Sequence, residues 1–161
     1  MTLVRVNKDN LDEYEEFIKK HPKGLFQHSS KWAKVKSAWK FEAIMLKNDS
    51  GEIKGSAAVL IRSIPIIKNS LMYCCRGFVC DENDFDTFDK LFNGLIELGK
   101  EYKAYCIKID PEIVIRNEAY KKHLIEKGFI ELNPGCMDFE NVQPRFVYCF
   151  DYNGMNEDEL M

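Results

Sequence analysis

Apolar residues recur along this chain in two rhythms, one near 3.6 residues and one of two, and their order predicts alternating strands and helices. The clearest helical run is Phe85, Phe88, Leu91, Phe92, Leu95, Leu98 and Tyr102. Asp84 stands where an N-cap belongs, acids fill the first turn, and Lys100 and Lys103 lie near the end, in accord with the helix dipole. The chain then enters Tyr105-Cys106-Ile107-Lys108-Ile109-Asp110-Pro111-Glu112. Alternation along a strand puts Tyr105, Ile107 and Ile109 on an apolar face and Cys106, Lys108 and Asp110 on a polar one. Pro111 lacks a ladder donor and keeps Asp110 extended, so the strand ends with a carboxylate at its tip. Strand tips of this kind commonly carry the chemistry of α/β domains.

Upstream, Leu3 to Val6 predicts a short first strand, and Asp9 or Asn10 caps a helix with Tyr14, Phe17 and Ile18 on one face. His21-Pro22-Lys23-Gly24 ends that helix, with His21 solvated near its carboxyl end. Ser29 or Ser30 caps a second helix, in which the spacing predicts Trp32, Val35 and Trp39 stacked on one side and Lys31 and Lys34 pointing away. Lys36 borders that apolar face, so its stem can lie over the core while its ammonium faces a cleft. A solvated surface lysine is the competing reading.

Phe41 to Leu46 and Glu52 to Ile64 predict two strands joined by a tight turn at Asn48-Asp49-Ser50-Gly51. Leu71 to Cys75 predicts the next strand, and Gly77 just beyond it signals a bulge or a close backbone approach. After Pro111, Asn117 caps a helix from Glu118 to Lys127 with Tyr120, Leu124 and Ile125 apolar and Gly128 as its stop. His123 reads as a surface residue, because no second ligand is spaced to join it at a metal. Asn133-Pro134-Gly135 predicts a turn, Arg145 to Tyr152 a last strand, and Met155 to Met161 the first turn of another helix.

At 161 residues and 45% hydrophobic composition, the chain suits one domain with a substantial core. Its 23 basic and 26 acidic residues give a net charge of -3, which excludes a global basic field for avid nonspecific nucleic-acid binding. No segment approaches the roughly 18 apolar residues of a membrane span, and the amino terminus lacks a signal-peptide profile, so a cytoplasmic protein is expected. The cysteines, Cys74, Cys75, Cys80, Cys106, Cys136 and Cys149, match neither a zinc nor a redox spacing and read as free, mostly buried thiols. No metal or cofactor is expected.

The order of elements predicts an α/β fold of the GNAT acyltransferase type, a mixed, mostly antiparallel sheet flanked by helices. Several separated motifs then follow one another in a familiar order: His21-Pro22-Lys23-Gly24, Gln27, Trp32-Ala33 with Val35-Lys36, Ile64-Pro65, Arg76-Gly77, Ile107-Lys108-Ile109-Asp110-Pro111, Gly128-Phe129 and Gln143-Pro144-Arg145. In these the chain resembles the FemABX family, tRNA-dependent aminoacyltransferases that build the interpeptide bridge of peptidoglycan. Members are much longer and carry two GNAT-like domains. The resemblance therefore implies that residues 1–154 are the first such domain and that 155–161 begin a truncated linking helix. It implies transfer of an aminoacyl group from aminoacyl-tRNA to the stem peptide of a UDP-linked or lipid-linked muropeptide, in the cytoplasm or at the inner face of the membrane. In the family the first domain contributes most of the muropeptide cleft.

Aminolysis of an ester needs an amine that is positioned and freed of its proton, and a carboxylate at a strand tip can do both. Asp110 matches the family's acid in that role, with capping of the turn into Pro111 as its alternative. Lys36 matches a family lysine that contacts the diphosphate of the muropeptide. Trp39 and Tyr105 are further cleft candidates. Arg76 and Arg145 complete the substrate-binding set, with a structural ion pair as the competing reading. An acyl-CoA-dependent N-acyltransferase is the alternative function, but the acids Asp81, Glu82 and Asp84 stand where a pyrophosphate would need a glycine-rich cradle. A non-catalytic muropeptide-binding module is the third.

Overall fold

Strands β2 (Lys40–Lys47) and β3 (Ile53–Ile64) form the hairpin on which the sheet is built. Its turn is organised by Asn48, whose side-chain oxygen accepts from the amides of Ser50 and Glu52, and Gly51 takes the left-handed φ of +86° that the turn requires. Strand β1 (Thr2–Arg5) adds antiparallel to β2, and β4 (Asn69–Cys74) adds antiparallel to β3. Helix α3 (Phe85–Glu101) then carries the chain back so that β5 (Ala104–Ile109) lies parallel to β4. The order is β1-β2-β3-β4-β5, the expected mixed and mostly antiparallel sheet. The computed structural model describes residues 1–66, 68–113, 117–132, 154 and 156. It divides the chain into a unit Met1–Phe129, which holds all these elements, and a unit Ile130–Met161.

Alternation along the strands divides the core in two. Ile44, Leu46, Ala57, Val59, Ile61, Met72 and Cys74 face α3, whose Phe88, Leu91 and Leu95 are almost wholly buried. Ala43, Met45, Ala58 and Val79 face helix α1 (Leu11–Lys20), which contributes Tyr14 and Ile18. Asp84 caps α3 as the sequence predicts, its carboxylate accepting from both the amide and the hydroxyl of Thr87. Asn117 likewise caps helix α4 (Glu118–Glu126) through the amide of Tyr120.

Several expectations need correction. Helix α2 spans only Ser30–Val35, capped by Ser29, and its apolar side chains do not stack in a core: Val35 is 68% exposed and no residue of the helix is buried. With no face to bury, so short a helix gains little from extension, and a turn from Lys36 to Trp39 redirects the chain into β2. Tyr105 is 55% exposed, and the β4-β5 register shifts beside it, pairing Ala104 with Ser70 and Cys106 with Leu71 and leaving Tyr105 as the extra residue between them. Ile125 is exposed, whereas His123 is half-buried, stacked on Phe85 and hydrogen-bonded to Asp89. The turn at 133–135, the strand at 145–152, the helix start at 155–161, Cys136, Cys149 and Arg145 lie outside the described residues.

Candidate functional site

The carboxyl ends of β4 and β5 lie side by side because the two strands are parallel, with Tyr73 opposite Lys108 and Cys74 opposite Ile109. Just beyond them the chain makes two tight departures. After β4, Arg76 and Gly77 are both left-handed, at φ of +59° and +76°. After β5 comes Asp110-Pro111. The two segments are locked together: the Arg76 amide donates to Asp110 Oδ1 at 2.8 Å, and the Glu112 amide donates to the Arg76 carbonyl at 3.4 Å. A Cβ on Gly77 would lie 2.9 Å from Pro111 Cα, so glycine is required by contact as well as by φ. Arg76 itself carries strain that only a surrounding scaffold can hold in place.

That scaffold includes His28, which no motif singled out. It is 1% exposed, and its carbonyl accepts a 2.6 Å hydrogen bond from the Tyr14 hydroxyl. Its Nδ1 accepts from the Leu25 amide, so the neutral ring carries its proton on Nε2. Nε2 is buried beside the backbone of Cys75 and Gly77, and burial holds the ring's pKa down to about 4. The imidazole is thus a neutral wedge beneath the left-handed turn. Lys23 braces the same region from outside, its ammonium reaching Glu82 Oε1 at 2.5 Å and the Glu112 carbonyl at 2.7 Å. Glu82 in turn accepts from Asn117 at the start of α4.

At the centre, Asp110 is held by one oxygen only. Oδ2 is buried and has no hydrogen-bond partner, and the same is true of the nearby Tyr73 hydroxyl. Burial pushes the Asp110 carboxyl up, opposed by the Arg76 amide, the Tyr73 hydroxyl and the Arg76 charge. Burial also pushes the Tyr73 phenol up, with the Cys75 thiol and the Asp110 charge adding to it, so it remains a protonated donor. Tyr73 lies close enough to Asp110 to couple with it electrically but makes no hydrogen bond of ordinary geometry to it. A carboxylate with one anchored and one open oxygen can accept a proton or orient an ammonium.

The predicted residues are brought together unevenly. Arg76 makes no ion pair among the described residues. Its amide holds Asp110, and its charge, with that of Lys36, pulls the Cys75 thiol back down against burial. Lys36 therefore stands within electrical reach of the site, its ammonium 5.1 Å from the Trp32 ring centre. Trp39 lies under the Arg62 guanidinium at 5.7 Å, and Arg62 is level with Leu71 and Cys106 in the sheet. That is four residues back from Asp110, about 13 Å along the strand. Tyr105 is placed apart, on the α3 face and about 16 Å from Asp110 along β5. Tyr73 was missed, although counting back from Cys74 in the alternating strand would have put it on the face of Asp110.

The sheet order, the parallel pair β4-β5 and a site at its carboxyl ends define a domain of the GNAT acyltransferase fold. A probable acetyltransferase of known structure matches 94% of this chain and 99% of its own with a TM-score of 0.61, and at 13% identity that likeness concerns the fold alone. More specifically, the chain belongs to the FemAB family, whose model matches residues 10–161. The crystal structure of FemX matches 80% of this chain and 32% of its own, with a TM-score of 0.70 and 30% identity. A lipid II:glycine glycyltransferase of Staphylococcus aureus is 36% identical over 157 residues, covering 92% of this chain and 36% of that protein. The chain thus spans about a third of the length of these relatives. Among the described residues no helix is long and apolar enough to cross a membrane.

Proposed function

We propose that this chain is the acceptor-binding part of an aminoacyltransferase that builds the peptidoglycan interpeptide bridge. The observation that carries the reading is Asp110, a buried carboxylate with Oδ1 anchored and Oδ2 open, in a chain related to glycyltransferases that act on lipid II. On this reading residues 1–154 belong to the first of two GNAT-like domains of such an enzyme. The donor is aminoacyl-tRNA, and the acceptor is the side-chain amine on the third residue of the stem peptide, met in the cytoplasm or at the inner face of the membrane.

Asp110 Oδ2 takes one proton from the acceptor's ammonium. The freed amine attacks the ester carbonyl, a C–N bond forms as the C–O bond to the tRNA ribose breaks, and the amine's second proton leaves with the ribose oxygen. Lys36 supplies a point charge for the diphosphate of the acceptor, and Trp39, Arg76 and Arg145 complete the proposed binding set. Support against an acyl-CoA donor comes from the start of α3, where the Asp84 carboxylate accepts from the Thr87 amide and puts a negative charge where a pyrophosphate would have to sit.

Calorimetric titration of this chain with a UDP-linked muropeptide and, separately, with acetyl-CoA tests the reading. Muropeptide binding is expected, and binding of the coenzyme alone would overturn it. In the whole enzyme, Asp110→Asn is expected to lower kcat about 100-fold or more with little change in acceptor affinity. Turnover at the parental rate would reduce Asp110 to a turn cap.

A further inference from the structure

We propose that Tyr73 is a positioning residue for Asp110, its hydroxyl setting how the open carboxylate oxygen is aimed and how readily it takes a proton. The inference rests on the aminoacyl-transfer reading for its purpose but not for its geometry. Met72 and Cys74 point into the core under α3, so Tyr73 between them points to the opposite face. It pairs with Lys108, two residues before Asp110, which places the phenol beneath the carboxylate. The Tyr73 hydroxyl and Asp110 Oδ2 are both buried, and both lack a hydrogen-bond partner.

A buried donor and a buried acceptor left open at the same strand ends are each costly, by about 1 to 3 kcal/mol. A residue serving only to pack would be phenylalanine and would avoid half of that cost. The phenol has two neighbours to serve, Asp110 and the thiol of Cys75, and its coupling to both is mutual. With Oδ1 already fixed by the Arg76 amide, a donor from Tyr73 to the carboxylate keeps it ionised and oriented until an ammonium arrives. The other groups that act on this carboxylate are the Arg76 guanidinium and the Cys74 thiol, with Lys36 beyond Cys75 and Lys108 one repeat back on the same strand face.

Carbon-13 NMR titration of the Asp110 carboxyl group in this chain reads the effect directly. Tyr73→Phe is expected to raise its midpoint by about one pH unit, because the carboxylate loses the nearby hydroxyl dipole that favours its charged form. Cys75→Ala, which leaves Asp110 as the phenol's remaining neighbour, is expected to lower it. A midpoint unmoved or lowered by Tyr73→Phe, in a variant whose other carboxyl midpoints are unchanged, overturns the proposal. Should Tyr73→Phe fail to fold, an Asp110 midpoint unmoved by Cys75→Ala overturns it instead.

In the whole enzyme, the acid limb of kcat/KM for aminoacyl transfer should move to higher pH in Tyr73→Phe by the same amount. A purely structural role would lower the rate at every pH and leave the limb in place. The two readings separate cleanly. A titration shift in a protein that transfers no aminoacyl group keeps the role of Tyr73 and removes the transfer reading.

Discussion

Replacing Gly77 by alanine tests the contact that holds the two strand ends together. Two costs add. The left-handed φ of +76° disfavours any side chain by about 1 to 2 kcal/mol. The new methyl would also sit 2.9 Å from both Cα and Cβ of Pro111, atoms of a rigid ring that cannot swing aside. Overpacking of that kind costs about 1 to 3 kcal/mol, so the total is about 3 kcal/mol. Gly51 provides the control, since its φ is +86° and an added Cβ there would meet nothing within 4 Å. Gly51→Ala should therefore show the backbone cost alone, about 1 kcal/mol. Urea unfolding of the two variants, compared through their midpoints at unchanged m-value, gives the difference directly. A difference of about 2 kcal/mol is expected. If the two variants lose stability to within about 0.5 kcal/mol of each other, the close approach of Gly77 to Pro111 is not what constrains this turn.

His28 makes stability depend on pH in a definite direction. In the unfolded chain it takes up a proton below about pH 6.5, whereas the folded ring resists until about pH 4, so stability falls as pH drops through that window by about 3 kcal/mol in all. His21, also held down by burial, acts in the same direction, so the share of His28 is read by comparing the parent with His28→Gln. Identical pH slopes above pH 4.5 would show that His28 is not the buried neutral group. Lys36→Met should weaken muropeptide binding and flatten its salt dependence while changing stability by less than about 0.5 kcal/mol. Unchanged affinity would remove Lys36 from the site.

The parts of the fold that were legible in the sequence are those decided by neighbours along the chain. Asp84 and Asn117 sit beside the amides they cap, and the period of Phe88, Leu91 and Leu95 fixes which side of α3 is buried before any partner is known. Asp110 could be placed at a strand tip because Pro111 ends the ladder locally. The second helix failed for the complementary reason: Trp32, Val35 and Trp39 have helical spacing, but among the described residues no common face buries them, and Phe26 and Arg62 claim the two tryptophans separately. His28 was invisible, and Tyr73 legible only as to its strand face, because their importance comes from what a distant turn places over them.

The parallel pairing of β4 and β5 has a consequence for the order in which the molecule assembles. Strands β2, β3 and β4 meet through short hairpin connections, whereas β5 can join only after α3 has carried the chain back across the sheet. The hydrogen bond from the Arg76 amide to Asp110 spans 34 residues and exists only once that crossover is complete. In a pulse-labelling experiment the Arg76 amide should therefore gain protection after the amides of the β2-β3 hairpin, making a single backbone proton the clock for completion of the site.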